Sequence, residues 1–314
     1  MPKFVLRRLV QVLPVLLLVS FATMVLIDLV PGDPVRSILG ESATPEQVLA
    51  KRAQLGLDQS VVGRYVDWLG NALHGDFGTS LQGNQDVGGA ISQRLPVTLE
   101  LAVLAALIAL LLALPSGMYA AYRRGGWFDR ATEAVSSALV SLPPFLTATI
   151  FVFFLAVNAQ VLPVTGWVPL SQDPGENLRH AILPALALAL PEAAVWMRLL
   201  RADMVATLQE PYVLAAVAKG MRPTNVVVRQ ALRPSAISLV TVAGLSLGRL
   251  VGGSIVVEFM FALPGLGNLM IESVIRHDIV MVQGLVFVVA VAYVVINLAV
   301  DVAVAYLDPR VRQG

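Results

Sequence analysis

Two stretches of this chain hold residue types able to do chemistry. In "GLSLGRLVGGSIVVE", Gly244 to Glu258, Arg249 sits in the middle of a long apolar run. A charge at the centre of a bilayer costs about 2.5–3.5 kcal/mol on insertion scales, so Arg249 has to face protein or water. Glu100, Glu192 and Asp301 are its candidate counter-charges. Such a pair either holds helices together, contacts a passing solute, or serves intramembrane chemistry. Glu258 lies about half a turn of azimuth away from Arg249 on a regular helix, so the two do not share a face, and Glu258 is expected at the outer mouth. The second stretch, "AAVAKGMRPTNVVVRQALRP", Ala215 to Pro234, carries Lys219, Arg222, Arg229 and Arg233 with no acid. That charge pattern suits a contact surface for a membrane or a partner.

Signatures of self-contained catalysis are missing. The sequence has no H-E-x-x-H zinc helix, no G-x-x-x-x-G-K-[ST] phosphate loop and no G-x-S-x-G elbow. His74, His180 and His277 are scattered singly, all on the side expected to face outward, where surface histidines account for them; no metal site is expected.

The elements that position these residues follow from composition. The chain is 57% apolar and 14% charged, against roughly 25% charge in a soluble domain, which makes it an integral membrane protein. A net charge of +1 argues against nucleic acid or another bulk polyanion as partner. The lack of cysteine excludes disulfides and thiolate metal sites. A helix needs about 20 apolar residues to cross the hydrocarbon, and six runs qualify: Leu9–Val30, Val97–Tyr122, Ala134–Val157, Ala181–Leu200, Ser235–Phe259 and Val282–Leu307. The first is too long for a secretory h-region and lacks a small-residue cleavage site, so it is read as a span. Basic residues concentrate on the amino-terminal side of the membrane, at Lys3, Arg7, Arg8, Arg123, Arg124, Arg130 and the 215–234 stretch, placing both termini in the cytoplasm. Prolines interrupt the spans at Pro14, Pro115, Pro143, Pro144, Pro184 and Pro191; the "SLPPF" pair is the one expected to bend a helix beside a pathway.

Between the fourth and fifth runs the pattern predicts two short helices. Tyr212, Ala215, Ala216 and Lys219 recur at helical spacing, Gly220 ends that helix in a left-handed conformation, and Pro223 opens the next. Val226, Val227, Ala231 and Leu232 give the second helix an apolar side; Arg222, Arg229 and Arg233 give it a basic one. An amphipathic helix resting on anionic headgroups and a docking surface for a cytosolic protein both fit. A DNA-reading helix-turn-helix does not, because membrane pins the loop at both ends.

These residues resemble a known family. "YVLAAVAKGM" with "VVVRQAL" is similar to the coupling loop of binding-protein-dependent (type I) ABC-importer permeases. "GGSIVVEFMFALPGLGNLM", "YLDPRVR", "LVPGDP", "GDFGTSL" and "ISQRLPVTLEL" resemble the B-type subunit of the dipeptide and oligopeptide branch, so the likeness covers nearly the whole chain. It implies an all-α integral membrane protein of six transmembrane helices, with a long extracytoplasmic insertion between helices 1 and 2 and a cytoplasmic coupling helix between helices 4 and 5. Residues 1–30 would form the amino terminus and first span, 31–95 the insertion, 96–307 the transmembrane core with its coupling loop at about 202–234, and 308–314 the cytoplasmic tail. Carried over position by position, Tyr212, Ala215, Ala216, Ala218, Lys219, Gly220 and Met221 would engage the ATPase. Pro211, Leu214, Val217 and Gln230 depart from the family pattern, which replaces specific ion pairs by shape. Arg249, Glu258, Phe261, Pro264 and Gly265 would lie at the translocation pathway or gate, and Gly244, Gly248 and Gly252 would form one smooth helix-packing face.

The implied partners are a second homologous permease subunit, two ATP-binding subunits or one fused ATPase, an extracytoplasmic substrate-binding protein and membrane lipid. No cofactor is expected on this chain; ATP and Mg would sit in the partners. The chain itself would hydrolyse nothing and would move di- or oligopeptides by alternating access in a bacterial or archaeal cytoplasmic membrane. The competing reading is an intramembrane enzyme or ion-coupled carrier built on Arg249 and its counter-charge.

Overall fold

Hydrocarbon cannot satisfy backbone N–H and C=O groups, so apolar runs of this length fold as helices. The computed structural model describes residues 2–29, 35, 43–54, 58–81 and 83–307. The carboxy-terminal segment 308–314, the "PGDP" of the amino-terminal motif and part of the 31–95 insertion lie outside them. Among the described residues there is no strand, only an isolated bridge between Thr79 and Asp86. In chain order the helices are α1 (Pro2–Leu29), α2 (Pro45–Gln54), α3 (Val61–Leu73), α4 (Val87–Tyr122), α5 (Trp127–Ser141), α6 (Pro144–Asn158), α7 (Pro174–Thr207), α8 (Pro211–Ala218), α9 (Pro223–Met260), α10 (Leu266–Ile275) and α11 (Ile279–Leu307).

Four of these, α4, α7, α9 and α11, are long and apolar enough to cross a membrane, and α5 with α6 makes a fifth if the bent pair is one span. Six were expected. The difference falls at α1, whose apolar part is the shorter Val10–Leu26, and at the α5–α6 break. That break is a bend of 107°, and its cause is the proline pair. A residue before proline is pushed out of the helical region; Leu142 and Pro143 are both extended, with ψ 123 and 148, before Pro144 opens α6. Pro14 lies inside α1, and Pro184 and Pro191 inside α7, without ending either helix.

The expected second short helix of the basic loop is not separate. It runs as the first turns of α9 into the long span, through a π-helical stretch, Val226–Ala231. Pro234 supplies the physical reason. It has no N–H to donate to the Gln230 carbonyl four residues back, and the backbone widens just before it.

By chain contacts the molecule divides into two compact units. One comprises Leu99–Leu263 with the chain from Val295 onward. Here α7 packs on both α5 and α9. Trp196 of α7 is fully buried and its Nε1 donates to Ser246 Oγ of α9 at 3.2 Å. Gly117 of α4 lies so near α7 that a Cβ would meet the Met197 carbonyl oxygen at 3.1 Å. The other unit comprises Pro2–Thr98 with Pro264–Val294. Its core joins Val87, Ile91, Leu266, Leu269, Met281 and Leu285. Tyr65 of α3 fastens α1 through Ser20 Oγ, 2.8 Å away, and the Leu17 carbonyl.

Candidate functional site

The loop between α7 and α9 is built by backbone chemistry. Glu210 precedes α8, Pro211 fills its first position, and eight residues later the helix closes at Lys219. Gly220 has φ +79; its N–H donates to Val217 O at 2.9 Å and the Met221 N–H to Ala216 O at 3.2 Å. This is a Schellman closure, which favours glycine because only glycine adopts that conformation without strain. Arg222 then caps α9 and Pro223 starts it. Gln230 O, the carbonyl that Pro234 leaves without its usual donor, accepts from Tyr212 Oη at 3.4 Å. Gln230 Nε2 in turn reaches Met221 Sδ at 3.9 Å. Val213, Val226 and Ala231 are buried under the loop, while Tyr212, Leu214, Val217 and Val228 are exposed. Ala215, Ala218, Lys219, Arg222 and Arg229 are also exposed, and Ala216 and Met221 are half-buried. The loop therefore presents apolar side chains beside a basic rim. Leu214 and Val217, two of the departures from the family pattern, are among those outward-facing side chains.

Arg249 meets one of its three candidate counter-charges. Its Nη2 lies 3.4 Å from Glu192 Oε2 of α7 and donates to Ser246 Oγ at 2.7 Å. Ser246 thus joins Arg249 to buried Trp196. Glu258 is fully buried in the last turn of α9 and accepts from Ser254 Oγ at 2.7 Å. Phe261 caps α9 and is buried. Leu263 N returns to the Glu258 carbonyl at 2.9 Å, so "FALPG" is a reversal as its turn residues suggest. Gly265 caps α10, whose Leu266 N–H donates to Thr98 Oγ1 at 2.9 Å. The helix at Leu266–Ile275 carries no span signal in the sequence, because ten residues after a Pro-Gly turn are too few to cross a membrane.

The three glycines of α9 do not act alike. A Cβ on Gly244 would collide with Val300 of α11, whereas one on Gly252 meets nothing within 4 Å; Gly248 is buried. The single smooth face expected from their spacing is therefore a close approach at Gly244 and open space at Gly252.

Two polar clusters escaped the sequence reading. Asp129 of α5, buried, takes a bidentate ion pair from Arg201 of α7, with Nη2 at 2.8 Å from Oδ2, and accepts from Gly125 N at 2.8 Å. Asp278, buried at the start of α11, accepts from Ser80 Oγ and from the N–H groups of Leu81 and Met281, both at 3.2 Å. Their partners are 72 and 198 residues away, beyond any local pattern. Among the described residues no group of three or more His, Asp or Glu side chains is placed to hold a metal ion.

Long apolar helices, a proline-broken pair and an exposed loop helix define a polytopic helical membrane protein. The chain belongs to the binding-protein-dependent transport system inner membrane component family, the peptide-type permeases of ABC importers: the model of that family matches residues 113–313, and the model of its N-terminal region matches residues 1–102. A Brucella abortus (strain 2308) protein named for its place as a peptide transport system permease is 38% identical over 312 residues, 99% of each chain. The glutathione transport system permease protein GsiC of Escherichia coli (strain K12) is 35% identical over 312 residues, again 99% of each. A solved amino acid ABC transporter with histidines shares the fold at a TM-score of 0.50 and 16% identity, covering 71% of this chain and 94% of its own.

Proposed function

We propose that this permease forms half of the translocation pathway of an ATP-driven importer for short peptides, and that α8 is the element through which a separate ATPase moves it. The observation that carries the reading is the loop itself. A helix of eight residues, closed by Gly220 and tied to α9 through Tyr212, exposes Leu214 and Val217 where a soluble loop would be polar. Exposed apolar side chains held on a rigid element suit a partner's groove, and the basic rim gives the encounter a direction.

In this reading the chain spans the membrane six times, counting α1 and the bent α5–α6 pair, with both termini in the cytoplasm of a bacterium or archaeon. Residues 96–307 form the transporting core and 31–95 an outer insertion. The assembly contains a second permease subunit, two ATPase subunits or one fused ATPase that hold ATP and Mg, and an external binding protein that delivers solute. Closure of the ATPases pulls on α8, and the spans rock from inward-open to outward-open. Peptide as cargo rests on the names of relatives at 38% and 34% identity, with glutathione, a modified tripeptide, at 35%.

The test is co-purification of the assembled transporter with Leu214→Asp, Val217→Asp or Gly220→Trp. A Cβ on Gly220 meets nothing within 4 Å, so the tryptophan strains only the turn and its outer surface. Stoichiometric ATPase on the unaltered chain and its loss on all three variants is the expected result. Retention of ATPase and uptake by every variant would return α8 to a helix resting on headgroups and move the docking surface elsewhere; absence of ATPase from even the unaltered chain would give the lead to the carrier or membrane-enzyme reading built on Arg249.

A further inference from the structure

Arg249 lies past the middle of α9 with its side chain 57% exposed, and its partner Glu192 is 17% exposed. Nη2 makes both of its contacts, to Ser246 and Glu192; Nε and Nη1 have no hydrogen-bond partner among the described residues. A guanidinium carries five donors in a planar fork, so most of this one is uncommitted. It cannot be left in hydrocarbon without the cost of an intramembrane charge.

The turn that follows is equally telling. Helical side chains lean toward the amino terminus and cover the turn before their own Cα. The residues placed to cover Arg249 are therefore 252 and 253. Both are glycine, and a Cβ on either meets nothing within 4 Å. These glycines leave the stem of Arg249 uncovered on the side of the following turn, while its guanidinium leans back onto Ser246, which Trp196 holds.

We propose that Arg249 is a carboxylate-binding site for the transported solute, with Glu192 as its resident counter-ion. This rests on the peptide-importer reading and adds the chemistry that recognises the cargo. A passing carboxylate takes two charge-assisted hydrogen bonds from the fork, where Glu192 has one long contact. Glu192 compensates the charge between transport events, so no bare cation is left in the membrane.

The experiment compares uptake of radiolabelled Ala-Ala and of its C-terminal amide by cells carrying the full transporter with unaltered chain, Arg249→Gln, Arg249→Lys or Glu192→Gln. Yield of the purified assembly is measured beside it. The unaltered transporter is expected to prefer the free acid. Arg249→Gln should lower the ratio of free-acid to amide uptake about tenfold or more, with lysine restoring part of the preference and Glu192→Gln keeping it. An acid-to-amide ratio that is the same in Arg249→Gln as in the unaltered chain overturns the site and leaves the importer intact. Failure of both Arg249 variants to assemble assigns the residue to packing between subunits and also overturns it. If the unaltered transporter takes up neither probe, the peptide reading itself falls and this one with it.

Discussion

At the scale of single residues, spacing tells which side chains share a face but not what faces them. Gly244 and Gly252 recur on one helical period, yet Gly244 lies against Val300 and Gly252 against open space. The two positions should therefore respond oppositely to enlargement. Gly244→Val forces branched carbons into a filled contact between α9 and α11, an overpacking that costs about 1–3 kcal/mol. Gly252→Ala adds a methyl without a clash and removes the helix penalty of glycine, worth about 1 kcal/mol in its favour. Thermal unfolding in detergent is the measurement: the Gly244 variant melts below the unaltered chain and the Gly252 variant at or above it. Equal melting of the two would show that the α9–α11 approach at Gly244 is not tight. Arg249 teaches the same lesson from the polar side. Its need for a counter-charge was legible because hydrocarbon makes the cost unavoidable, but Glu192 was one of three candidates, and only the packing of α7 on α9 selects it.

At the scale of elements, helix ends carry the most local information. Gly220 at φ +79 and Pro223 at a first turn were readable because left-handed backbone and fixed φ restrict residue choice within a few positions. The proline pair at Pro143–Pro144 was readable for the same reason. What escaped were ends secured from afar. Asp278 starts α11 by accepting from Met281 N while also holding Ser80 and Leu81 from before α4, and nothing near Asp278 in sequence signals that second duty. The merging of the loop's second helix into α9 escaped too, because its cause is a proline three residues past the π-helical stretch. Asp278→Ala should cost more than a lost helix cap, which alone is worth about 0.5–2 kcal/mol, since it also strands a buried hydroxyl and a backbone N–H. The expected outcome is a lowered melting temperature with early proteolytic cleavage near residues 79–86. Asp278→Asn, which keeps an acceptor oxygen, should fall between. If alanine and asparagine behave like the unaltered chain, the clasp between these segments contributes nothing to stability.

At the scale of the whole molecule, the open quantity is how many times the chain crosses the membrane, and the bend between α5 and α6 decides it. If α5–α6 crosses once, residues 127 and 161 lie on opposite sides; if the 107° bend turns the pair back, they lie on the same side. α7 gives the reference. Its 34 residues reach about 50 Å at 1.5 Å each, more than the roughly 30 Å of hydrocarbon, long enough to put Leu170 before it and Leu214 after it on opposite sides of the bilayer. The chain contains no cysteine, and Trp127, Val161, Leu170 and Leu214 are all exposed. Each can be replaced singly by cysteine and probed with a membrane-impermeant maleimide, before and after permeabilising the cells. Six spans with cytoplasmic termini require Val161→Cys and Leu170→Cys to label from outside, and Trp127→Cys and Leu214→Cys only after permeabilisation. Labelling of both Trp127→Cys and Val161→Cys from outside makes the pair re-entrant and removes one crossing. The basic residues Arg123, Arg124 and Arg130 beside Trp127 would then stand outside, against the charge bias that orients membrane helices, which is why the crossing arrangement is the one expected.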